Sequence, residues 1–316
     1  MDDYFDFENP VAEIEKTIEK LKALSPEKGD MSDEIGVLEK KCQTLREEIF
    51  STLTPWQMIQ IARHPKRPVL QDYISLIFSD FVELHGDRCF SDDEALVGGF
   101  ASLNNYKVML IGHNKGKNIE QNVRRNFAQP RPDGFRKALR LMKLAEKYNL
   151  PLISFVDTQG AYPGLEGEER GVMEAIARNL AEMSQLKTPS IVVITGEGGS
   201  GGALAIAVGD AVLMLSNAVY SVISAEGCAS ILWRDPTFAA QAASAMKITA
   251  PSQLQLGVID EIIKEPLGGA HRNYEATASE IKRVLLKHMK RLTGYSISKL
   301  LSKRFDKFSE MGQFNK

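Results

Sequence analysis

The apolar positions of this chain fall into two regimes. Near the N-terminus, Val11, Ile14, Ile18 and Leu21 recur at spacings of three and four, as do Ile35, Leu38, Cys42, Leu45 and Ile49. That period gathers each set on one helix face. Asn9-Pro10 marks the start of the first helix, Ser25-Pro26-Glu27-Lys28-Gly29-Asp30 a break, and Ser32 a cap for the second. Two narrow stripes joined by a short turn predict an antiparallel helical hairpin that packs on the body or on a partner. The stretches 53–57 and 64–68 read as connecting turns.

From about residue 70 the pattern changes. Short continuous apolar runs at 108–112, 152–156, 191–194, 212–215, 219–224 and 258–263 read as strands. Helical stripes lie between some of them: Phe135, Leu139, Met142 and Ala145 within 133–148, and Val172, Ile176, Leu180 and Met183 within 168–186. Near-continuous Ile/Val/Leu strands alternating with helices predict a mainly parallel α/β sheet covered on both faces. In such sheets ligands sit beyond the C-terminal ends of the strands. Two glycine-bearing stretches fall at such ends, Asp157-Thr158-Gln159-Gly160-Ala161-Tyr162-Pro163-Gly164 and Thr195-Gly196-Glu197-Gly198-Gly199-Ser200-Gly201-Gly202-Ala203-Leu204. Together they sketch a two-sided pocket.

The second stretch has five glycines in the seven positions 196–202 and reads as strand, glycine turn and helix start. Without side chains, backbone N–H groups can come close to a bound group, and at a helix start they have no intrahelical partner. Such a place suits a phosphate or an oxyanion that develops during a reaction. Gly196-x-Gly198-x-x-Gly201 matches the dinucleotide fingerprint, but it comes after at least two earlier strands, not the first, and its helix is brief. A phosphate-binding P-loop needs Gly-Lys-Ser/Thr where this chain has Gly-Gly-Ala. Tight strand–helix packing alone is the remaining reading of the loop.

Composition narrows the class. The 43% hydrophobic and 25% charged fractions are those of a soluble globular protein, and no apolar run reaches the ~18 residues of a membrane span. The acidic start, Met1-Asp2-Asp3-Tyr4-Phe5-Asp6, is the opposite of a signal or transit peptide. Cys42, Cys89 and Cys228 form no Cys-x-x-Cys pair, which removes a disulfide framework and a zinc ribbon and points to a reducing cytoplasm. His113 and His271 have no companions at metal spacing, so no metal is expected in this chain. The net charge of −2 hides basic blocks at 115–143 and 282–316 and an acidic N-terminus. These read as solvated helix faces, or, in the middle block, as a field that steers a polyanionic partner. Nucleic acid is not indicated, since no binding module accompanies the charge.

Longer motifs carry a resemblance. Leu84-His85-Gly86-Asp87-Arg88, Val97-Gly98-Gly99, Arg124-Arg125-Asn126-Phe127, Gly160-Ala161-Tyr162-Pro163-Gly164, Glu168-Glu169-Arg170-Gly171, the 196–207 and 221–233 stretches, and Pro266-Leu267-Gly268-Gly269-Ala270-His271-Arg272 resemble, in order, the alpha subunits of acetyl-coenzyme A carboxylase carboxyltransferases. The resemblance runs to about residue 290. It implies a crotonase-like ββα superhelix with an N-terminal helical hairpin and C-terminal helices, divided as 1–70, 71–270 and 271–316. It further implies assembly with a zinc-bearing beta subunit as alpha2beta2, alongside a biotin carboxyl carrier protein and a biotin carboxylase. The reaction implied moves CO2 from carboxybiotin on the carrier to acetyl-CoA, giving malonyl-CoA for fatty acid synthesis, with no metal in this chain. In that family the alpha chain cradles biotin and the beta chain holds most of CoA.

Carried over by motif, Gly201, Gly202 and Ala203 are the expected oxyanion donors, with Gly160, Ala161, Gly198 and Gly199 lining the biotin side. Gln159 departs from the family, which has Pro there, and leaves that turn less rigid. Glu166, Glu168 and Glu169 read as helix-start acids or as an acid–base group, Glu197 as a bond to a neighbouring turn, and Arg124, Arg125 and Arg131 as contacts to CoA phosphates, the carrier or partner acids. Ala245-Met246-Lys247-Ile248 imitates a biotin attachment tetrapeptide, but it follows a helix-forming run where a β-hairpin is required, so Lys247 is expected to stay unmodified. Two rival readings are a single-chain crotonase-type acyl-CoA hydratase or isomerase and a non-catalytic assembly scaffold.

Overall fold

The computed structural model of the chain describes residues 4–28 and 31–312. The N-terminal stripes form α1 (Asn9–Lys28) and α2 (Ser32–Ser51), and Val11, Ile14 and Ile18 meet Ile35, Leu38, Cys42, Leu45 and Ile49 along the seam the spacing predicts. Two local expectations are corrected. α1 runs on through Pro26 to Lys28, since close to a helix end a proline removes a single ladder bond. The N-cap position of α2 belongs to Met31, and Ser32 is the first helical residue.

The supposed connecting turn at 53–57 is the start of α3 (Pro55–Ala62). Thr54 Oγ1 accepts from the Gln57 N–H at 3.3 Å and Gln57 Oε1 accepts from the Thr54 N–H at 2.8 Å, a reciprocal cap with Pro at the first helical position. After α4 (Leu70–Ile77) come three antiparallel strands, β1 (Ser79–Glu83), β2 (Leu96–Leu103) and β3 (Tyr106–His113). Next are α5 (Ile119–Arg124), α6 (Pro132–Lys147) and β4 (Leu152–Thr158). The helix expected at 168–186 is two, α7 (Leu165–Glu169) and α8 (Val172–Ser184), because Gly171 turns between them at φ 76°.

The strand β5 (Ser190–Gly199) leads into α9 (Ser200–Leu204). The chain continues through β6 (Ala211–Leu215), β7 (Val219–Ser221), α10 (Ala225–Trp233), α11 (Ala239–Ala245), α12 (Ala250–Gln255) and β8 (Glu261–Ile263), and ends with α13 (Tyr274–Leu292) and α14 (Ile297–Ser309). Among the described residues eight strands form one sheet, in the order β1-β2-β3-β4-β5-β6-β8, with β7 beside β5. Pairing is parallel from β3 onward.

The two halves of β5 have different neighbours. Residues 191–194 pair with β6 and stay in the core, whereas Glu197, Gly198 and Gly199 pair with Val219, Tyr220 and Ser221 of β7. The strand thus exchanges β6 for β7 on one side after Ile194 while keeping β4 on the other, where Gly198 pairs with Thr158 across a register shift, and so sets the glycine stretch beside the C-terminal end of β4. Among the described residues no helix is long and apolar enough to cross a membrane.

Candidate functional site

Three of the glycines read as turn residues lie in the last part of β5, and their need for glycine comes from close approach. A Cβ on Gly196 would lie 2.3 Å from Asp157 Oδ1, one on Gly199 2.1 Å from the Gln159 carbonyl oxygen, and one on Gly198 2.7 Å from the Tyr220 ring. Past the strand the chain turns at Ser200, whose φ is 49°. Gly202 then presses on the other loop, where a Cβ would stand 2.4 Å from the Gly160 carbonyl carbon and 2.6 Å from the Ala161 nitrogen. Gly201 is the exception, with only the Ile176 side chain at 3.4 Å. The structure therefore brings Gly202, Gly160 and Ala161 together, with Gly199 against Gln159 just behind.

α9 is one turn long, the brief helix the sequence implies, so it brings individual N–H groups and little accumulated dipole. Ala203 is its fourth residue, after Ser200, Gly201 and Gly202.

Beneath the loop lies a network of charges that no local motif announces. Asp157 Oδ1 accepts from Lys115 Nζ at 2.6 Å and from the Glu197 N–H at 2.9 Å. Glu197 accepts from Arg63 Nε at 2.7 Å and lies 3.8 Å from Lys115, and Arg63 continues to Glu226 at 2.5 Å. Arg67 donates to the Thr195 carbonyl at 2.7 Å and forms a two-bonded pair with buried Glu265 at 3.0 and 2.7 Å. Burial alone would raise the Glu265 carboxyl, but Arg67 and the N–H groups of Asn217 and Ala270 outweigh it and hold the group below the usual range. Glu197 does bond outside its own turn, to Arg63 at the end of α3, and the network fixes the outer half of β5 from below.

His113, at the end of β3, completes this floor. It is 1% exposed, and Asp157 N–H points at its Nδ1 over 3.4 Å. Burial pushes its imidazole down to about 4, against the opposing influence of the Asp157 charge and the Gly202 backbone.

The other singled-out residues are placed elsewhere. Glu166 stands at the exposed start of α7 beside Arg131 and Arg170, both at 3.6 Å, and Glu168 also lies in that first turn. Arg124 pairs with Glu94 at 2.7 Å, Arg125 donates to the Lys115 carbonyl at 2.9 Å, and Arg131 lies over the Tyr162 ring at 4.8 Å. Lys247 sits in the exposed turn between α11 and α12 at φ 56°. His271 stacks on His64 with 3.9 Å between ring centroids. Among the described residues no three His, Cys, Asp or Glu side chains gather in a way that could hold a metal.

A groove of about 490 Å³ adjoins the glycine turn, lined by Ser200, Leu204, Tyr220, Val222, Cys228 and Met246 among others. Its surroundings carry exposed apolar side chains, Val222 at 78%, Ile231 at 71% and Leu232 at 63%. Such a patch on a folded chain marks a surface meant to be covered.

Solved structures with the same fold define the class. The transcarboxylase 12S core matches with a TM-score of 0.56 and 19% identity over 82% of this chain and 46% of its own. The beta subunit of P. aeruginosa geranyl-CoA carboxylase gives 0.56 and 16% over 84% and 48%, and a Pseudomonas malonate decarboxylase hetero-tetramer in complex with coenzyme A gives 0.56 and 16% over 66% and 84%. The fold is that of the crotonase-type carboxyltransferases, as the motifs imply.

Sequence relatives are much nearer. An acetyl-coenzyme A carboxylase carboxyl transferase subunit alpha from Geobacter metallireducens is 56% identical over 98% of this chain and 97% of its own, and one from Hydrogenovibrio crunogenus 52% over 99% and 98%. The family model described as acetyl co-enzyme A carboxylase carboxyltransferase-like matches residues 4–312. The chain belongs to that family, as a carboxyltransferase of the alpha-subunit type.

Proposed function

We propose that this chain forms the biotin side of a two-subunit active site that moves CO2 from carboxybiotin to acetyl-CoA. The observation that carries the reading is the contact between Gly202 and the Gly160–Ala161 turn at adjacent strand ends, in a chain of this family. Carboxybiotin losing CO2 leaves negative charge on the biotin ureido oxygen, and deprotonation of the acetyl-CoA methyl leaves charge on the thioester oxygen. Fixed N–H donors stabilise both without reorganising during the reaction. Gly201 and Gly202 are the donors we assign, with Ala203 seating the helix behind them and Gly160, Ala161, Gly198 and Gly199 forming the walls. Biotin itself accepts the methyl proton once CO2 has left, so no side-chain base is required.

The exposed apolar groove beside Ser200 supports completion of the site by a second chain. That partner is the beta subunit, which holds most of CoA and the zinc, in an alpha2beta2 assembly served by a biotin carboxyl carrier protein and a biotin carboxylase. The cytoplasm is the compartment that fits this role. We divide the chain as 1–70 for the helical arm, 71–270 for the crotonase-like core and 271–316 for the C-terminal helices. The test is an assay of the purified chain with acetyl-CoA and carboxybiotin, alone and with the beta subunit. Malonyl-CoA is expected only from the pair, and its formation by the single chain would overturn the two-chain site.

A further inference from the structure

The glycine wall at 197–199 is joined to α10 by two routes. One follows the chain: Glu197, Gly198 and Gly199 pair with β7, and residues 222–224 lead from β7 into α10. The other is a single side chain. Arg63, at the C-terminal end of α3, donates from Nε to Glu197 at 2.7 Å and from Nη1 and Nη2 to Glu226 at 2.5 and 3.4 Å. Glu197 stands on β5 between Gly196 and Gly198, and Glu226 in the first turn of α10. A guanidinium is planar and donates along two edges, so one Arg63 fixes both the distance and the direction between the two carboxylates.

The helices at one end of this bridge are seated by packing. Ile59 and Ala62 of α3 share one apolar cluster with Ala225 and Ala229 of α10. Between these helices and the glycine wall lies a hollow of about 30 Å³, lined by Arg63, Gln159, Glu197, Gly199, Ser221 and Ser224 among others. It has room for about one water, so side chains do not fill the gap that Arg63 spans. Further along α10, Ile231 and Leu232 are exposed, in the patch read above as covered by a second chain.

We infer that Arg63 is a positioning residue that sets the glycine wall at a fixed offset from α10, and so from the second chain that covers α10. A site shared by two chains works when its halves meet in register, and on this side Arg63 holds that register. It touches no substrate. The inference rests on the two-chain reading of the pocket given above.

A double-mutant cycle in the enzyme assembled with its beta subunit is the test. Glu226 belongs to neither glycine loop, yet Glu226→Ala should lower kcat about threefold with the KM for acetyl-CoA nearly unchanged. Arg63→Met should lower kcat about tenfold, the scale of a hydrogen bond between charged groups. In the Arg63→Met background, Glu226→Ala should cost nothing more. Losses that multiply would mean that the two side chains act separately and would sink the inference. Full kcat in Glu226→Ala would sink it too, even beside a lowered melting temperature, since a side chain that only holds the fold together moves stability alone. That measurement needs no Arg63 variant and decides the matter even where Arg63→Met does not fold. Arg63→Lys should stay close to Arg63→Met, because one ammonium cannot serve both carboxylates, and wild-type turnover in Arg63→Lys would show that charge matters and direction does not. Gly202→Ala is the control on the pocket itself. Full turnover in that variant removes the reading beneath the inference, whereas an impaired Gly202→Ala beside an unimpaired Glu226→Ala removes the role of Arg63 alone.

Discussion

At the scale of single residues, Gly201 and Gly202 are neighbours of one type with opposite surroundings. A methyl group on Gly201 meets one flexible isoleucine at ordinary contact distance, whereas on Gly202 it would have to displace the Gly160–Ala161 backbone. Gly201→Ala should therefore leave kcat and thermal stability close to wild type. Gly202→Ala should force the walls apart and lower kcat of the assembled enzyme by about 10²-fold, the scale of losing one fixed oxyanion donor. Steady-state kinetics and melting curves of the two variants decide the matter, and equal activity of both would move the site elsewhere.

His113 gives a second prediction at this scale. Its folded pKa of about 4 lies below the ordinary 6.5, so between those values the unfolded chain binds a proton that the native chain refuses. The neutral ring therefore contributes stability in full above pH 6.5, and that contribution is lost as pH falls toward 4. His113→Asn has no such group, so its melting temperature should close on that of the wild type as pH drops from 7 to 5. A gap that stays constant or widens would show that the ring is not buried neutral.

Elements show best what could be read in the chain. Fully buried strands such as 152–156 and 191–194 announce themselves as unbroken apolar runs, and the hairpin seam of α1 and α2 by its spacing. β1 and β2 did not. β1 is a short edge strand with most of its residues exposed or half-exposed. β2 carries Gly98 and Gly99 in mid-strand because Leu141 and the Val82 carbonyl approach so closely, at 2.5 and 2.0 Å from a built Cβ, and glycine pairs read as turns. The candidate loops were legible as glycine stretches at strand ends. The floor beneath them was not, since Arg63 meets Glu197 across 134 positions and Arg67 meets Glu265 across 198. No periodicity links residues so far apart.

The C-terminal helix α14 is fastened in the same long-range way. Arg304, 1% exposed, forms two bonds to Asp210 at 2.9 and 2.7 Å and donates to the carbonyls of Met183, Leu186 and Thr188 at 2.7, 2.8 and 3.1 Å. Arg304→Ala would strand a buried Asp210 and three carbonyls, a change expected to cost about 3–5 kcal/mol. Denaturant unfolding of the full chain should show that loss. A shift below about 1 kcal/mol would mean that α14 is held by its apolar face alone.

Considered whole, the molecule builds its pocket from the middle of the chain and braces it from both ends. Arg63 and Arg67 come from the end of α3 and the stretch before α4, Lys115, Asp157 and Glu197 from the middle of the chain, and Glu265 from just before the last helices. The Thr195 carbonyl, where β5 exchanges β6 for β7, is held by an Arg67 that is itself held by Glu265. That double clamp has a consequence in time. A chain emerging during synthesis has all of β3, β4 and β5 available long before Glu265 exists, and closing a loop of such length carries its entropy cost before any contact rewards it. The glycine wall should therefore be among the last parts of the molecule to set. Pulsed hydrogen exchange during refolding is expected to protect the amides of 191–194 before those of 197–199, and Glu265→Gln should delay the second group while leaving the first on time. Simultaneous protection would mean that β5 folds as one piece. If the order holds, a ribosome stalled between the end of β5 and residue 265 releases a fragment that holds both glycine stretches but not the carboxylate that clamps them, so interrupted synthesis yields an inert product and no half-working enzyme.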